Sequence, residues 1–204
     1  MRIQRAAERR STPWKNGGGL TFEVASFPEE STLDTLDWRI SLAEVRLAGA
    51  FSLFPGIDRK LALLDGRLSL YISGRNVIEL SPGSEVVAFP GDIPTSAQPL
   101  SPQVTDFNVM TRRSRFTSRV VRRAVATSET LDIAGSDVTA VIALGCLGVD
   151  VAGNRIELLP RDALLLSWED ASSIELHATE SNAGCFLVEI LGMKSSAATR
   201  GSVG

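Results

Sequence analysis

The chain has 204 residues, 44% of them hydrophobic and 22% charged, with a formal net charge of −3. This is the composition of an ordinary globular protein, and the charge gives no general drive toward nucleic acid or an anionic membrane. Two cysteines, Cys146 and Cys185, make no disulfide framework, and the one histidine, His177, is too few for a histidine-based metal site.

Residues 1–19 read as a polar arm that ends in a glycine-rich loop. Arg2, Arg5, Arg9 and Arg10 have no apolar run behind them, so no secretory signal is expected. No stretch approaches the roughly 18 apolar residues of a membrane span. Both thiols are expected to be buried on strands in a reducing, cytoplasmic setting. The loop itself, Pro13 to Glu23, holds Gly17, Gly18 and Gly19 between Trp14, Lys15 and Asn16 on one side and Thr21 and Glu23 on the other. Three glycines suit a sharp turn or a close backbone approach. The run lacks the Gly-Lys-Ser/Thr ending of a phosphate loop, and no strand precedes it.

Alternation predicts a strand over Leu20 to Ala25, an acidic loop over Pro28 to Asp37, and a second strand over Asp37 to Val45. That second strand puts Trp38, Ile40 and Leu42 on one face and Arg39, Ser41 and Ala43 on the other. An aromatic loop follows, Gly49 to Gly56, with Phe51, Ser52 and Phe54, then Asp58-Arg59 and a strand over Lys60 to Leu64. Further short strands are expected over Leu68–Ile72, Val77–Leu80, Val86–Phe89, Asp106–Thr111 and Phe116–Arg122. Long helical periodicity is absent, which argues for an all-β barrel or sandwich. His177 falls on an alternating segment and reads as a strand surface residue.

An internal repeat supports two similar units. Leu64-Asp65-Gly66 to Gly74 lines up with Leu144-Gly145 to Gly153 at an offset of 79 (145 − 66 and 153 − 74). Ile78-Glu79-Leu80-Ser81-Pro82 then matches Ile156-Glu157-Leu158-Leu159-Pro160. The expected organisation is the arm over 1–19, a first unit over 20–123, a second over 124–192 and a mobile tail over 193–204.

This repeated unit resembles the cupin barrel, and two in tandem resemble a bicupin. Four stretches are more specific: Pro13 to Glu23, Trp38 to Val45, Phe51 to Arg59 and Asp106 to Arg113. Together they resemble the HutD/Ves family, small bicupins associated in bacteria with histidine utilisation. The resemblance implies a non-catalytic, regulatory or ligand-sensing role without metal or other cofactor. It also implies an acidic pathway intermediate, N-formylglutamate or urocanate, as ligand.

The residues themselves suggest how such a ligand is held. The expected binding set is Trp14, Lys15, Asn16, Gly17, Thr21, Glu23, Arg39, Ser41, Ser52, Phe54, Asp58, Arg59, Asn108 and Met110, all in the arm and the first unit. Arginine and lysine suit a small carboxylate, the asparagines suit an amide or formyl group, and Trp14 is placed over the ligand as a movable lid. Local ion pairs are the alternative role for Arg39 and for Asp58-Arg59. The alternative function is a metal-free cupin isomerase or hydrolase with Glu23, Asp58 or Asp106 as base. The arginines from Arg112 to Arg123 read as a solvated strand face, so no specific nucleic-acid partner is expected. No membrane partner is expected either, and the chain should be a monomer or a homodimer.

Overall fold

A computed structural model describes residues 1–14, 16–32, 34–181 and 183–193. These contain 19 strands, one 3-10 turn at Ala6–Glu8 and no α-helix, arranged as an all-β bicupin. Every strand pairing is antiparallel, and each half holds one large and one small sheet. In the first half the large sheet runs Ser11–Pro13, Gly19–Phe27, Trp38–Val45, Thr105–Arg112, Ile57–Asp65, Val87–Pro90. Its small sheet runs Gly49–Ala50, Thr95–Pro99, Leu68–Ile72, Ile78–Leu80. In the second half the large sheet runs Arg2–Gln4, Ala163–Ser167, Val138–Ala143, Gly184–Gly192, Phe116–Ala124. Its small sheet runs Ser128–Asp132, Ser173–Ala178, Leu147–Val151, Asn154–Leu158.

The repeat is therefore longer than the sequence similarity that revealed it. The order Trp38–Val45, Thr105–Arg112, Ile57–Asp65, Val87–Pro90 is matched by Phe116–Ala124, Gly184–Gly192, Val138–Ala143, Ala163–Ser167. Phe116–Ala124, expected to close the first unit, pairs with Gly184–Gly192 and opens the second. Strand pairing thus divides the chain after Arg112. The arm belongs to both halves: Arg2–Gln4 extends the second unit's large sheet, and Ser11–Pro13 pairs with Leu20–Phe22 in the first. Of the expected tail, Met193 is described and 194–204 lie outside the described residues.

Side-chain alternation builds three apolar layers. Val45, Leu61, Leu63, Leu68, Leu70, Ile72 and Phe89 fill part of the first barrel. Val141, Leu147, Val149, Leu158, Leu164, Leu176 and Leu187 fill the second. Between them the two large sheets pack face to face through Trp38, Ile40, Leu42, Phe107 and Val109 on one side and Ile142, Leu165, Phe186 and Val188 on the other. Phe107 and Phe186 stack across this boundary with centroids 4.9 Å apart, and they sit at the repeat offset (186 − 107 = 79). An Arg161–Asp65 ion pair adds a polar tie between the halves. Because Trp38, Ile40 and Leu42 face this layer, the alternating positions Arg39, Ser41 and Ala43 turn into the first barrel.

Cys185 is buried on a strand, and burial pushes its thiol up to about 12. Cys146, also expected on a strand, is half-buried in the turn before Leu147–Val151. Among the described residues no helix is long and apolar enough to cross a membrane.

Candidate ligand-binding site

The first barrel is only partly filled, and the remainder is a cavity of about 450 Å³. Three strands of the large sheet form its floor. Across them run two polar rows set by register: Arg39, Met110 and Arg59 in one, Ser41 and Asn108 in the next. Ala43 and Asp106 come one step further along the same faces. Trp14 and Asn16 of the arm wall one side, and Phe51, Ser52 and Phe54 of the aromatic loop wall the other.

Ten of the fourteen expected binding residues line this cavity: Trp14, Asn16, Thr21, Arg39, Ser41, Ser52, Phe54, Arg59, Asn108 and Met110. Three others are placed elsewhere. Gly17 is a turn residue at φ 68°, whose N–H donates to the Trp14 carbonyl at 2.9 Å. Glu23 stands behind the wall and pairs with Arg39, its Oε2 2.8 Å from Nε. The Arg39 N–H is not aimed at that oxygen, so this is a charge contact rather than a hydrogen bond. Asp58 precedes Arg59 and so points to the opposite face, where Arg113 holds it at 2.8 Å. The alternative role of Asp58 in a local ion pair thus holds with Arg113 as its partner, while alternation keeps Asp58 and Arg59 on opposite faces. Lys15 lies outside the described residues.

Sequence reasoning left Thr12, Pro13, Ala43, Ala50, Phe51 and Asp106 out of the binding set, and all six line the cavity. Ala43 and Asp106 were legible, being two residues along from Ser41 and Asn108 on the same faces. Thr12 and Pro13 come from a strand that no alternation announced.

Trp14 forms part of the cavity wall, where two hydrogen bonds hold it. Its backbone N–H donates to the Gly19 carbonyl at 3.0 Å, and its indole Nε1 donates to Thr21 Oγ1 at 2.8 Å. Asn16 Oδ1 accepts from the Gly18 N–H, and the Gly18 carbonyl accepts from Arg46 and Leu47. A Cβ on Gly19 would clash with the Glu44 carbonyl oxygen and press on the Trp14 ring. The glycines thus let the arm pass close to the sheet, as a bulkier residue could not.

The electrostatic centre is Arg59, 7% exposed. Its guanidinium lies 4.7 Å from the Phe51 ring centroid, 5.1 Å from Phe89 and 5.7 Å from Phe54. Its Nε donates a long 3.4 Å hydrogen bond to Asn108 Oδ1. Among the described residues no carboxylate comes within 4.0 Å of it. Burial lowers its pKa to about 10, opposed by the charge of Asp106. Asp106 is 3% exposed, and its Oδ1 has no hydrogen-bond partner. Burial raises its pKa to about 7, opposed by Arg59. A buried cation without an ion pair is costly, and aromatic faces recover only part of that cost. The arrangement suits a small anion that brings its own charge.

The same cavity is a poor metal site, since its donors include one carboxylate and no histidine or cysteine. One metal-like cluster does occur among the described residues, in the second unit, where Asp150, Glu175 and His177 converge within 4.8 Å. Arg155 already pairs with Asp150 there at 3.4 Å. His177 lies on the strand Ser173–Ala178, as expected, and is half-buried there with Nε2 2.6 Å from Asp150 Oδ2. The arginine run beyond Arg112 is largely neutralised: Arg112 and Arg115 meet Asp37, Arg113 meets Asp58 and Asp92, Arg119 meets Glu189, and Arg123 meets Glu129. A wider open hollow of about 660 Å³ lies beside Tyr71, Arg75 and Val77, with no buried charge on its walls.

The HutD family model matches residues 6–184. The chain belongs to the HutD family. It is 33% identical over 121 residues to an uncharacterised 21.2 kDa protein of Pseudomonas putida, described by its place in the hutC 3′ region. It is 37% identical over 109 residues to the Ves protein of Citrobacter koseri. These matches span 59% and 52% of this chain, and the chain spans 63% and 56% of the two relatives. Among solved structures, HutD of Pseudomonas fluorescens SBW25 superposes with a TM-score of 0.79 at 25% identity, covering 94% of this chain and 98% of that one. A conserved Pseudomonas aeruginosa protein of unknown function gives 0.84 at 27% identity, covering 93% and 98%. Oxalate decarboxylase of Bacillus subtilis, at 10% identity and 0.62, covering 96% and 78%, shares the fold alone.

Proposed function

We propose that this HutD-family chain is a non-catalytic cytoplasmic bicupin that binds a small acidic molecule in its first unit. In this reading it serves as a sensor or regulator in histidine utilisation, and N-formylglutamate or urocanate is the ligand. The observation that carries the reading is Arg59, buried on the cavity wall with no carboxylate partner. A carboxylate ligand supplies that partner, and the guanidinium fork fits it bidentately. Asn108 offers an amide beside it, matching a formyl or carboxyl oxygen. The place of the P. putida relative in the hutC 3′ region supports assignment to that pathway.

Lack of a second catalytic group supports a binding role. Among the described residues no lining hydroxyl is hydrogen-bonded to a base, and Asp106 is the one carboxylate that lines the cavity. The enzyme reading rests on Asp106 alone, whose raised pKa suits a general base.

Calorimetric titration with both acids tests the proposal. Wild type should bind one of them, and Arg59→Met should weaken that binding by about a hundredfold or more, as expected when one partner of a buried charge pair is removed. Equal affinity in Arg59→Met, with the variant folded, overturns the anion pocket. NMR of the acid after long incubation decides between the two functions: any turnover promotes the enzyme reading.

A further inference from the structure

We infer that the cavity takes up its acidic ligand together with one proton, held on Asp106. This rests on the anion-pocket reading and adds a group to it. Asp106 and Asn108 stand two residues apart on one strand face, and Arg59 shares the floor on the neighbouring strand. Of these, Arg59 is the only permanent cation. Once a carboxylate binds Arg59, an ionised Asp106 would leave two negative charges facing one positive charge among buried side chains. Like charges that close do not both stay ionised. A proton on Asp106 removes the excess charge. It also turns the buried, unpartnered carboxyl into a donor, so that Arg59, Asn108 and Asp106 can all donate to the oxygens of one ligand.

Among the described residues the titratable side chains that line the cavity are Arg39, Arg59 and Asp106, and of these Asp106 is the one able to take up a proton near neutral pH. On the strand Trp38–Val45, Ala43 lies opposite Asp106, and Arg39 beyond it is already countered by Glu23. On Ile57–Asp65, Leu63 lies opposite, and Arg59 is the charge that acts on Asp106. The facing small sheet presents Leu68, Leu70 and Ala97. The loop from Gly49 to Gly56 carries no titratable side chain. Burial has already raised Asp106 toward protonation at neutral pH, and the added anion raises it further.

The test is calorimetry of the full chain with N-formyl-L-glutamate and with urocanate, in HEPES and in Tris at about pH 7.5. The expected result is an enthalpy that differs between buffers, corresponding to uptake of about half a proton or more per ligand bound. Affinity should fall toward about tenfold per pH unit from about pH 7.5 to 9. Asp106→Asn mimics the protonated acid, because its amide supplies an N–H where the carboxyl supplies its O–H. It should bind with a buffer-independent enthalpy and a flat pH profile. Wild-type binding with equal heat in both buffers overturns the inference and leaves the pocket standing. The same holds if Asp106→Asn keeps the wild-type pH dependence. Binding of neither acid to wild type overturns both readings.

Discussion

The two units share one topology and differ in what lies inside them. Register makes the comparison residue by residue. Where the first unit has Asp106, Asn108 and Met110 facing Leu63, Leu61 and Arg59, the second has Cys185, Leu187 and Glu189 facing Ala143, Val141 and Thr139. On the other flank, Ala43, Ser41 and Arg39 are matched by Arg123, Val121 and Arg119. The buried acid has become a buried thiol, the amide a leucine, and the buried arginine a threonine. The second barrel is accordingly packed with Leu, Val and Ile, and its charges meet partners at the rim, such as Arg119 with Glu189. The difference lies at the edge as well as the centre. Trp38–Val45 is covered by Gly19–Phe27 and Ser11–Pro13, which carry Trp14 and Thr21 to the cavity, whereas Phe116–Ala124 is the last strand of its sheet. A duplicated barrel thus becomes a pocket when polar groups replace the filling and extra strands wall it.

If the units are one cooperative body, breaking their shared layer should be the most damaging change. Phe186→Ala removes a fully buried ring from the stack with Phe107. It should cost about 3–5 kcal/mol, read as a lower urea midpoint in a single transition. Two separate transitions in wild type would show that the halves fold independently.

The second contrast, Asp106 against Cys185, is testable without ligand. The native pKa of Asp106 is raised above its usual value of 3.8, to about 7. The native state therefore holds its proton more tightly than the unfolded chain does. Stability contributed by this group is complete below about pH 4 and is lost as pH rises toward 7. Asp106→Asn should match wild type near pH 4 and exceed it near pH 8 by up to about 4 kcal/mol. Urea unfolding at the two values checks this. A constant difference would mean that Asp106 is ionised at little cost in the native state.

Much of this was legible in the sequence, for reasons that also mark where legibility ended. Alternation in Trp38 to Val45 gave the strand and its two faces, because apolar and polar positions answered to different layers. The 79-residue offset disclosed the duplication. It missed the pairing of Phe116–Ala124 with Gly184–Gly192, since register is set by long-range hydrogen bonds that leave no local trace. The site residues were found as types, and their partners only as open alternatives. That Asp58 turns outward to Arg113 followed from its place beside Arg59. That Glu23, rather than a ligand, sits against Arg39 depended on a bulge between Glu23 and Ala25 that shifts the register of that strand.

The smallest expected effect separates the two arginines. Arg39 and Arg59 occupy one cross-strand row with Met110 between them, and both line the cavity. Either arginine suits a carboxylate by type, yet the charge of Arg39 is met by Glu23, whose side chain is 42% exposed. A pair so open to water contributes about 1 kcal/mol or less. Arg39→Met should therefore lower stability only slightly. A ligand would feel little net field from a neutralised pair, so affinity should fall by about tenfold or less, well short of the loss in Arg59→Met. Calorimetry on the two variants side by side measures the ratio. If Arg39→Met abolishes binding as fully as Arg59→Met, Glu23 must release Arg39 to the ligand, and the pocket grips its anion with two arginines rather than one. Glu23→Gln then provides the check, since weakening the competing partner should strengthen binding in a two-arginine clamp and leave it nearly unchanged when Arg59 acts alone.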